Sequence, residues 1–160
     1  MEKKPIKRNP NIVKLSKDHH ASLLFCWKLR QGVKLHVDIE RMDKYVDYFW
    51  SQHFAQHFKE EEEILFAPVQ DDKVLKAIED HKKIKSLVDE IISRKKEDAK
   101  RLSTLADMVD DHVRYEERIL FPHLETVLSG EQLEAIGSRL SDEPLLDTYQ
   151  DNFWVKVSSL

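Results

Sequence analysis

His57-Phe58-Lys59-Glu60-Glu61-Glu62-Glu63-Ile64-Leu65-Phe66 and His112-Val113-Arg114-Tyr115-Glu116-Glu117-Arg118-Ile119-Leu120-Phe121 share one pattern, H-x-x-x-E-E-x-I-L-F. On an α-helix a residue and the fourth one after it lie on the same face. His57 with Glu61, and His112 with Glu116, therefore each present a ring nitrogen and a carboxylate together. Upstream, Asp18-His19 and Asp80-His81 make a second matched pair. The chain reads His, then His-x-x-x-Glu, twice over. That pattern predicts one two-metal site built from two half-sites.

The helical period continues on both sides of each copy. After Pro10, residues Ile12, Leu15, His19, Leu23, Cys26 and Arg30 recur at steps of three and four, predicting a first helix that ends near Gly32 to Val37. A second follows Asp38 as N-cap, through Met42, Val46, Phe49, Trp50, His53, Phe54, His57, Glu61, Ile64 and Leu65 to a stop at Pro68. A third starts at Asp71 or Asp72 and carries Leu75, Ile78, His81, Ile84, Leu87, Val88 and Ile91 to the polar stretch Ser93-Arg94-Lys95-Lys96-Glu97-Asp98. The fourth takes Leu102, Leu105, Met108, Val109, His112, Glu116, Ile119 and Leu120 to Pro122, a breaker placed much like Pro68. Four amphipathic helices with short polar connections predict an all-α fold, an up-down-up-down four-helix bundle with the prospective ligands in its inward stripes. Ser129-Gly130-Glu131-Gln132 resembles a capping box opening a short fifth helix through Leu133, Ile136 and Leu140. Leu145, Leu146, Tyr149, Phe153, Trp154 and Val157 form an apolar stripe on a C-terminal tail expected to pack on the bundle. The expected organisation is a mobile arm over 1–9, the bundle with its extra helix over 10–141, and the tail over 142–160.

The 160 residues and 19.0 kDa suit one domain, and 41% hydrophobic with 35% charged residues, three Gly and five Pro favours long helices over a turn-rich β fold. A net charge of −4 argues against nucleic acid or an anionic membrane as partner. Lys3, Lys4, Lys7 and Arg8 read as a solvated terminus, since Pro5 and Pro10 interrupt any helix there. Cys26 is the only cysteine, which rules out a disulfide within the chain and any site built on several thiolates. No apolar run reaches membrane-spanning length, and Met1 to Pro10 lacks the hydrophobic segment of a secretion signal, so a cytoplasmic location is expected.

A metal here is held by imidazole and carboxylate alone. Antiparallel neighbours bring His19 level with His57 and His81 level with His112, with Glu61 and Glu116 between the halves. Each carboxylate can bridge two cations and each neutral imidazole supplies one nitrogen. Four imidazoles and two bridging carboxylates give roughly four donors per metal, leaving about two positions on each six-coordinate ion for a bridge and an outside ligand. Two divalent ions and two glutamates leave a positive remainder that favours an anionic occupant. These donors suit two iron ions best, and manganese or zinc is compatible with them. The carboxylate-rich di-iron bundles use Glu-x-x-His with four carboxylates to two histidines, and this chain reverses both order and stoichiometry.

Other residues read more plainly. Glu60, Glu62, Glu63 and Glu117 rotate away from the stripe and read as a solvated face. His53, one turn before His57, is a candidate further ligand or support. His20 competes with His19, which is preferred because Leu15 lies one turn before it on the same face. His36 and His123 read as surface residues, and Cys26 and Trp27 as core. Asp18 and Asp80 point to another side than their histidines and read as caps or as supports to the ligands.

Over positions 10 to 140 the chain resembles the hemerythrin-like family, also called HHE cation-binding domains. The resemblance rests on His19 in Leu15-Ser16-Lys17-Asp18-His19, His57 and Glu61 in the first copy, His81 in Glu79-Asp80-His81, and His112 and Glu116 in the second copy ending at Pro122. It implies that these six residues ligate a non-haem di-iron centre binding dioxygen, nitric oxide or a related small ligand for sensing, storage or detoxification. Oxygen-carrying relatives have a second histidine one turn after the first on the third helix, where this chain has Lys85. That departure points away from reversible oxygen carriage, unless His53 or His20 replaces the missing donor. The rival readings are a di-iron oxidase or peroxidase, and a helical interaction module with a vestigial metal site that uses the stripe around Phe153 and Trp154.

Overall fold

The computed structural model describes residues 7–93, 98–141, 143 and 145–156, and every regular element among them is helical. The first rod is α1 (Val13–Lys34). The second is α2 (Ile39–Phe49), a π turn (Trp50–Phe54), α3 (Ala55–Glu60) and another π turn (Glu61–Leu65) without a break. The third is α4 (Asp72–Ile92), and the fourth runs from α5 (Ala99–Tyr115) through a π turn (Glu116–Leu120) into α6 (Phe121–Val127). A short α7 (Gly130–Arg139) follows. Lys3, Lys4, Pro5, the stretch from Arg94 to Glu97, and Val157 lie outside the described residues.

The ends follow from side-chain chemistry. The Asp71 carboxylate accepts from the Val74 amide at 3.0 Å and caps α4, and Asp98 does the same for Lys100 at 2.8 Å. Ser129 and Gln132 exchange the reciprocal bonds of a capping box at the start of α7. Asp38 precedes α2 without a side-chain cap. Pro122 does not end the fourth rod as expected. It sits in the first turn of α6, where a missing N–H costs nothing, and the helix continues to Val127.

α1 packs on α5 and α2, and α4 packs on α5 and α2. Lys14, Asp18 and Ser22 meet Glu60, His57 and His53, so residue numbers rise on the first rod as they fall on the second. The third and fourth rods pair the same way, Lys73 with Tyr115, Asp80 with His112 and Glu90 with Arg101. Two apolar clusters result. Leu15, Leu65, Phe66, Ala77, Leu120 and Phe121 form one, Phe25, Leu29, Phe49, Val88 and Leu105 belong to the other, and the histidines lie in the layer between.

The inward stripes differ in phase from the expected ones. On α1 the buried line is Leu15, His19, Ser22, Phe25, Cys26 and Leu29, whereas Leu23 is 39% exposed and Arg30 pairs at the surface with Asp107 and Asp110. Trp27, expected in the core, is 50% exposed, because Cys26 faces inward and the next residue lies about 100° round the helix. On α4 the line is Val74, Ala77, His81, Ile84, Val88 and Ile91, with Leu75 outside.

The described residues nearest each end are tied down. Arg8, expected on a solvated terminus, is 5% exposed in its side chain, bonds Glu117 and Glu125, and lies over the Phe121 ring. In the tail, Asp147 accepts from Lys28 at 2.9 Å, Trp154 stacks under the same ammonium at 3.8 Å, and Phe153 is buried against Tyr45 and the Gly32 backbone. Phe153→Ala removes a fully buried ring, so thermal unfolding is expected to show a loss of about 3 kcal/mol or more, roughly a 10 °C lower midpoint. Among the described residues no helix is long and apolar enough to cross a membrane.

Candidate metal centre

All six expected residues are buried and converge. Nitrogen and oxygen atoms of His19, His57, Glu61 and Glu116 lie within 4.8 Å of one another, and so do those of Glu61, His81, His112 and Glu116. Both glutamates belong to both groups, the arrangement that two neighbouring cations sharing carboxylate bridges require. Glu61 Oε1 is faced by His57 Nε2 at 3.3 Å and His81 Nε2 at 3.1 Å. Glu116 Oε1 is faced by His112 Nε2 at 2.9 Å and His19 Nε2 at 3.2 Å. The contacts of one half repeat in the other.

Each imidazole turns its second nitrogen outward onto a carboxylate of the neighbouring rod. His57 Nδ1 meets Asp18 at 3.0 Å, His81 Nδ1 meets Glu62 at 2.8 Å, His112 Nδ1 meets Asp80 at 3.2 Å and His19 Nδ1 meets Glu117 at 2.6 Å. The first rod thus holds the histidine of the second, the second that of the third, the third that of the fourth, and the fourth that of the first. With Nδ1–H donating outward, Nε2 is the nitrogen left for a cation. Three of these carboxylates are backed by cations: Lys14 on Asp18 at 3.1 Å, Lys76 on Asp80 at 2.9 Å and Arg8 on Glu117 at 2.8 Å.

Glu62 and Glu117, expected on a solvated face, are therefore part of the site. Glu60 is buried as well and takes the Lys14 ammonium at 2.8 Å. Asp18 and Asp80 serve the histidine of the next rod and not their own neighbour. The π turns help. Two of the three start at a central glutamate, with the Phe66 amide bonding Glu61 O at 2.8 Å and the Phe121 amide bonding Glu116 O. The extra residue per turn keeps Leu65 with Phe66, and Leu120 with Phe121, under the site.

The residues fit a pair of cations. His57 Nε2, both Glu61 oxygens and Glu116 Oε2 are buried without an aligned hydrogen-bond partner, although unpaired polar atoms of this kind cost about 1–3 kcal/mol each. His81 Nε2 and His112 Nε2 face each other at 3.0 Å. Two neutral rings in that geometry oppose lone pairs unless a proton or a cation lies between them.

Without metal, protons take that part. Burial alone would depress the His19 imidazole, but hydrogen bonds to Glu116 and Glu117 outweigh it and raise its pKa to about 10. His57 and His112 are likewise held up to about 9 against burial, by Glu61 and Asp18 in one case and Glu116 and Asp80 in the other. Against the same burial Glu61 and Glu62 raise His81. Burial opposes ionisation of Glu116 and Glu117, yet the facing imidazoles keep both low, Glu117 at about 2.

The remaining histidines stand apart. His20 and His36 are exposed, and His123 bonds Asp71 at 2.6 Å. His53 is buried one turn from His57 but belongs to neither donor group. Its Nε2 meets Ser22 Oγ at 3.2 Å, and burial with the nearby His57 charge pushes its pKa down to about 3, which keeps the ring neutral. Beside the donors the packing leaves only a gap too small for a water molecule, bounded by His19, His57, His112 and Glu116, by Ser22, and by an apolar wall that includes Phe54, Phe58 and Val109.

A family model described as the hemerythrin HHE cation binding domain matches residues 11–124 and, in an overlapping second alignment, 78–141. No curated protein and no solved structure matches the chain.

Proposed function

The chain belongs to the hemerythrin HHE cation-binding domain family, and from that premise we propose that it holds two iron ions and binds dioxygen, nitric oxide or a related small ligand for sensing, storage or detoxification. The observation that carries this reading is the double membership of Glu61 and Glu116 in two buried donor groups, with both Glu61 oxygens and Glu116 Oε2 left without a hydrogen-bond partner. The proposed ligands are His19, His57, Glu61 and Glu116 for one ion and Glu61, His81, His112 and Glu116 for the other. Manganese or zinc would use the same donors. The fold proposed for them is an up-down-up-down four-helix bundle over residues 10–141, in the cytoplasm, with residues 142–160 as its tail.

When bound, the metal pair supplies Lewis acidity and exchangeable electrons. The chain supplies the rest. Asp18, Glu62, Asp80 and Glu117 hold the four Nδ1–H groups, fixing each ring so that Nε2 faces inward. Phe54, Phe58 and Val109 line the gap beside the donors with carbon, which excludes bulk water from them. Lys85, at the position where oxygen-carrying relatives have a histidine, has a 57% exposed side chain that pairs with Asp89 at 3.0 Å on the outer surface. The donor set then stays at six residues, favouring sensing or detoxification over reversible carriage.

The test is anaerobic iron loading followed by elemental analysis and an optical spectrum. About two irons per chain, with a spectrum that responds reversibly to a small ligand, is the expected result. Sustained consumption of dioxygen over many turnovers would favour the oxidase reading. A metal content near zero after reconstitution would leave only a helical module with a vestigial site.

A further inference from the structure

The four carboxylates that hold the imidazoles are not equally secured. Asp18, with its side chain 1% exposed, takes the Lys14 ammonium at 3.1 Å, while Asp80 takes Lys76 at 2.9 Å and Glu117 takes Arg8 at 2.8 Å. Glu62 stands apart. Its side chain is 38% exposed, and among the described residues it pairs with His81 alone, at 2.8 Å. Water competes for a pair this open and no second partner holds the carboxylate, so it is the cheapest of the four to break.

Solvent reaches the same place. His81 borders a groove of about 370 Å³ whose walls include Trp50, Ala55, Phe58 and Glu62. The groove does not repel cations, because Asp89 holds Lys85 at 3.0 Å and Glu62 with Glu63 offsets Lys59 and Lys82. Within it the His81 ring lies flat on Phe58, centroids 3.9 Å apart, a contact that leaves rotation in the plane of the rings free. The bond to Glu62 fixes that rotation from outside.

Other clefts end on fastened supports. His112 borders one of about 220 Å³, but Asp80 is held there by Lys76, which also lies over the Tyr115 ring at 4.3 Å. Asp18 borders one of about 440 Å³, with the Lys14 and Lys17 side chains in its walls. His19 and His57 border the gap that admits no water molecule. The half with His81 thus faces solvent across one weak contact.

Resting on the metal-pair reading above, we infer that Glu62 is the latch of a gate: when its bond to His81 breaks, the ring turns out of the donor layer and a divalent cation passes between the groove and the site. Both ions use this door. The ion between His19 and His57 therefore enters first and leaves last. The latch exists in the metal-free and in the loaded protein, so weakening it speeds passage in both directions. Weakening a carboxylate that merely orients a ring speeds release and leaves uptake unchanged.

Ferrous iron is the probe, added without oxygen to wild type, Glu62→Gln, Asp18→Asn and Ala55→Trp, and then withdrawn by an excess of a chromogenic ferrous chelator. Wild type should give up its two irons in two steps of one iron each. In Glu62→Gln, uptake and the first step of release should both quicken about tenfold, the effect of exchanging a charged acceptor for a neutral one. Asp18→Asn makes the same exchange in the other half and should leave the uptake rate as in wild type. Ala55→Trp fills the groove without touching a ligand, so it should still hold about two irons and take them up about tenfold more slowly. Unchanged uptake in Glu62→Gln, equal quickening in Asp18→Asn, or wild-type uptake in Ala55→Trp would each overturn the gate while leaving the metal pair intact. A wild-type chain that takes up no iron sinks the metal-pair reading itself.

Discussion

Glu61→Ala is expected to abolish paired metal loading, from about two irons per chain to well below one under the same reconstitution. The reason is geometric. Glu61 Oε1 is the atom on which His57 and His81 converge, at 3.3 and 3.1 Å, and the residue belongs to both donor groups, so one substitution strips an anionic donor from both ions. Residues that only orient a ligand typically cost 10- to 100-fold in affinity, and a shared ligand must cost more. Glu61→Gln separates site from fold, because it keeps the volume and removes the charge. Wild type at metal concentrations about a thousandfold above its dissociation constant should gain about 4 kcal/mol, a rise of roughly 8–16 °C in unfolding midpoint. Neither variant should show that rise, whereas their metal-free unfolding should remain cooperative. Two irons retained in Glu61→Gln, with the full thermal gain, would remove Glu61 from the ligand set.

The convergence of the six central residues was legible because a histidine and a glutamate four apart on a helix leave a periodic trace, the trace occurs twice, and an Asp-His pair precedes each copy. The carboxylates behind them were legible only in part. Asp18 and Asp80 read as caps or supports without a named partner, and Glu62 and Glu117 as a solvated flank, because each sits one residue from a central residue, about 100° round the helix. In the proposed bundle, with four rods around one axis, the neighbouring rod would lie about a right angle away, so the same rotation would aim the side chain at the next histidine. The acid precedes the ligand on the first and third rods and follows it on the second and fourth. That alternation keeps one sense of rotation when chain direction reverses from rod to rod, as in the proposed bundle. Nothing in a single helix's periodicity carries this information. The π turns were hidden for a related reason, since a shifted hydrogen-bond register at Glu61 or Glu116 changes no residue type. Arg8 was misread because its partners, Glu117 and Glu125, lie more than a hundred residues away along the chain.

Loading of the metal-free protein at pH 7 is expected to release about three protons per pair of divalent ions. In the absence of metal, His19, His57 and His112 hold their protons up to about pH 10, 9 and 9, and His81 is raised as well. The 3.0 Å between His81 Nε2 and His112 Nε2 leaves room for one proton, so three imidazolium charges stand where two divalent cations would stand, and most of the incoming charge replaces charge already present. That exchange lets a closed site accept metal while burying little new net charge. The sign of the stability dependence follows. A histidine with a folded pKa above its unfolded value of about 6.5 stabilises fully below pH 6.5, and its contribution fades as pH rises toward 9 or 10. Asp18, Asp80 and Glu117, depressed in the folded state, contribute fully above about pH 4.5 and lose that contribution as pH falls, toward about 2 for Glu117. His53, held near 3 in the folded state, costs stability as pH falls below 6.5, so metal-free protein should be most stable near pH 6.5 and lose stability on both sides. The metal-loaded protein, its Nε2 atoms no longer titrating, should keep its stability through pH 9. Thermal unfolding of both forms across this range, with proton release followed in a weakly buffered indicator solution, measures both effects. Proton release near zero at pH 7, or a metal-free protein whose stability rises from pH 6.5 to 9, would show that the four rings are already neutral and that something other than protons balances Glu61 and Glu116.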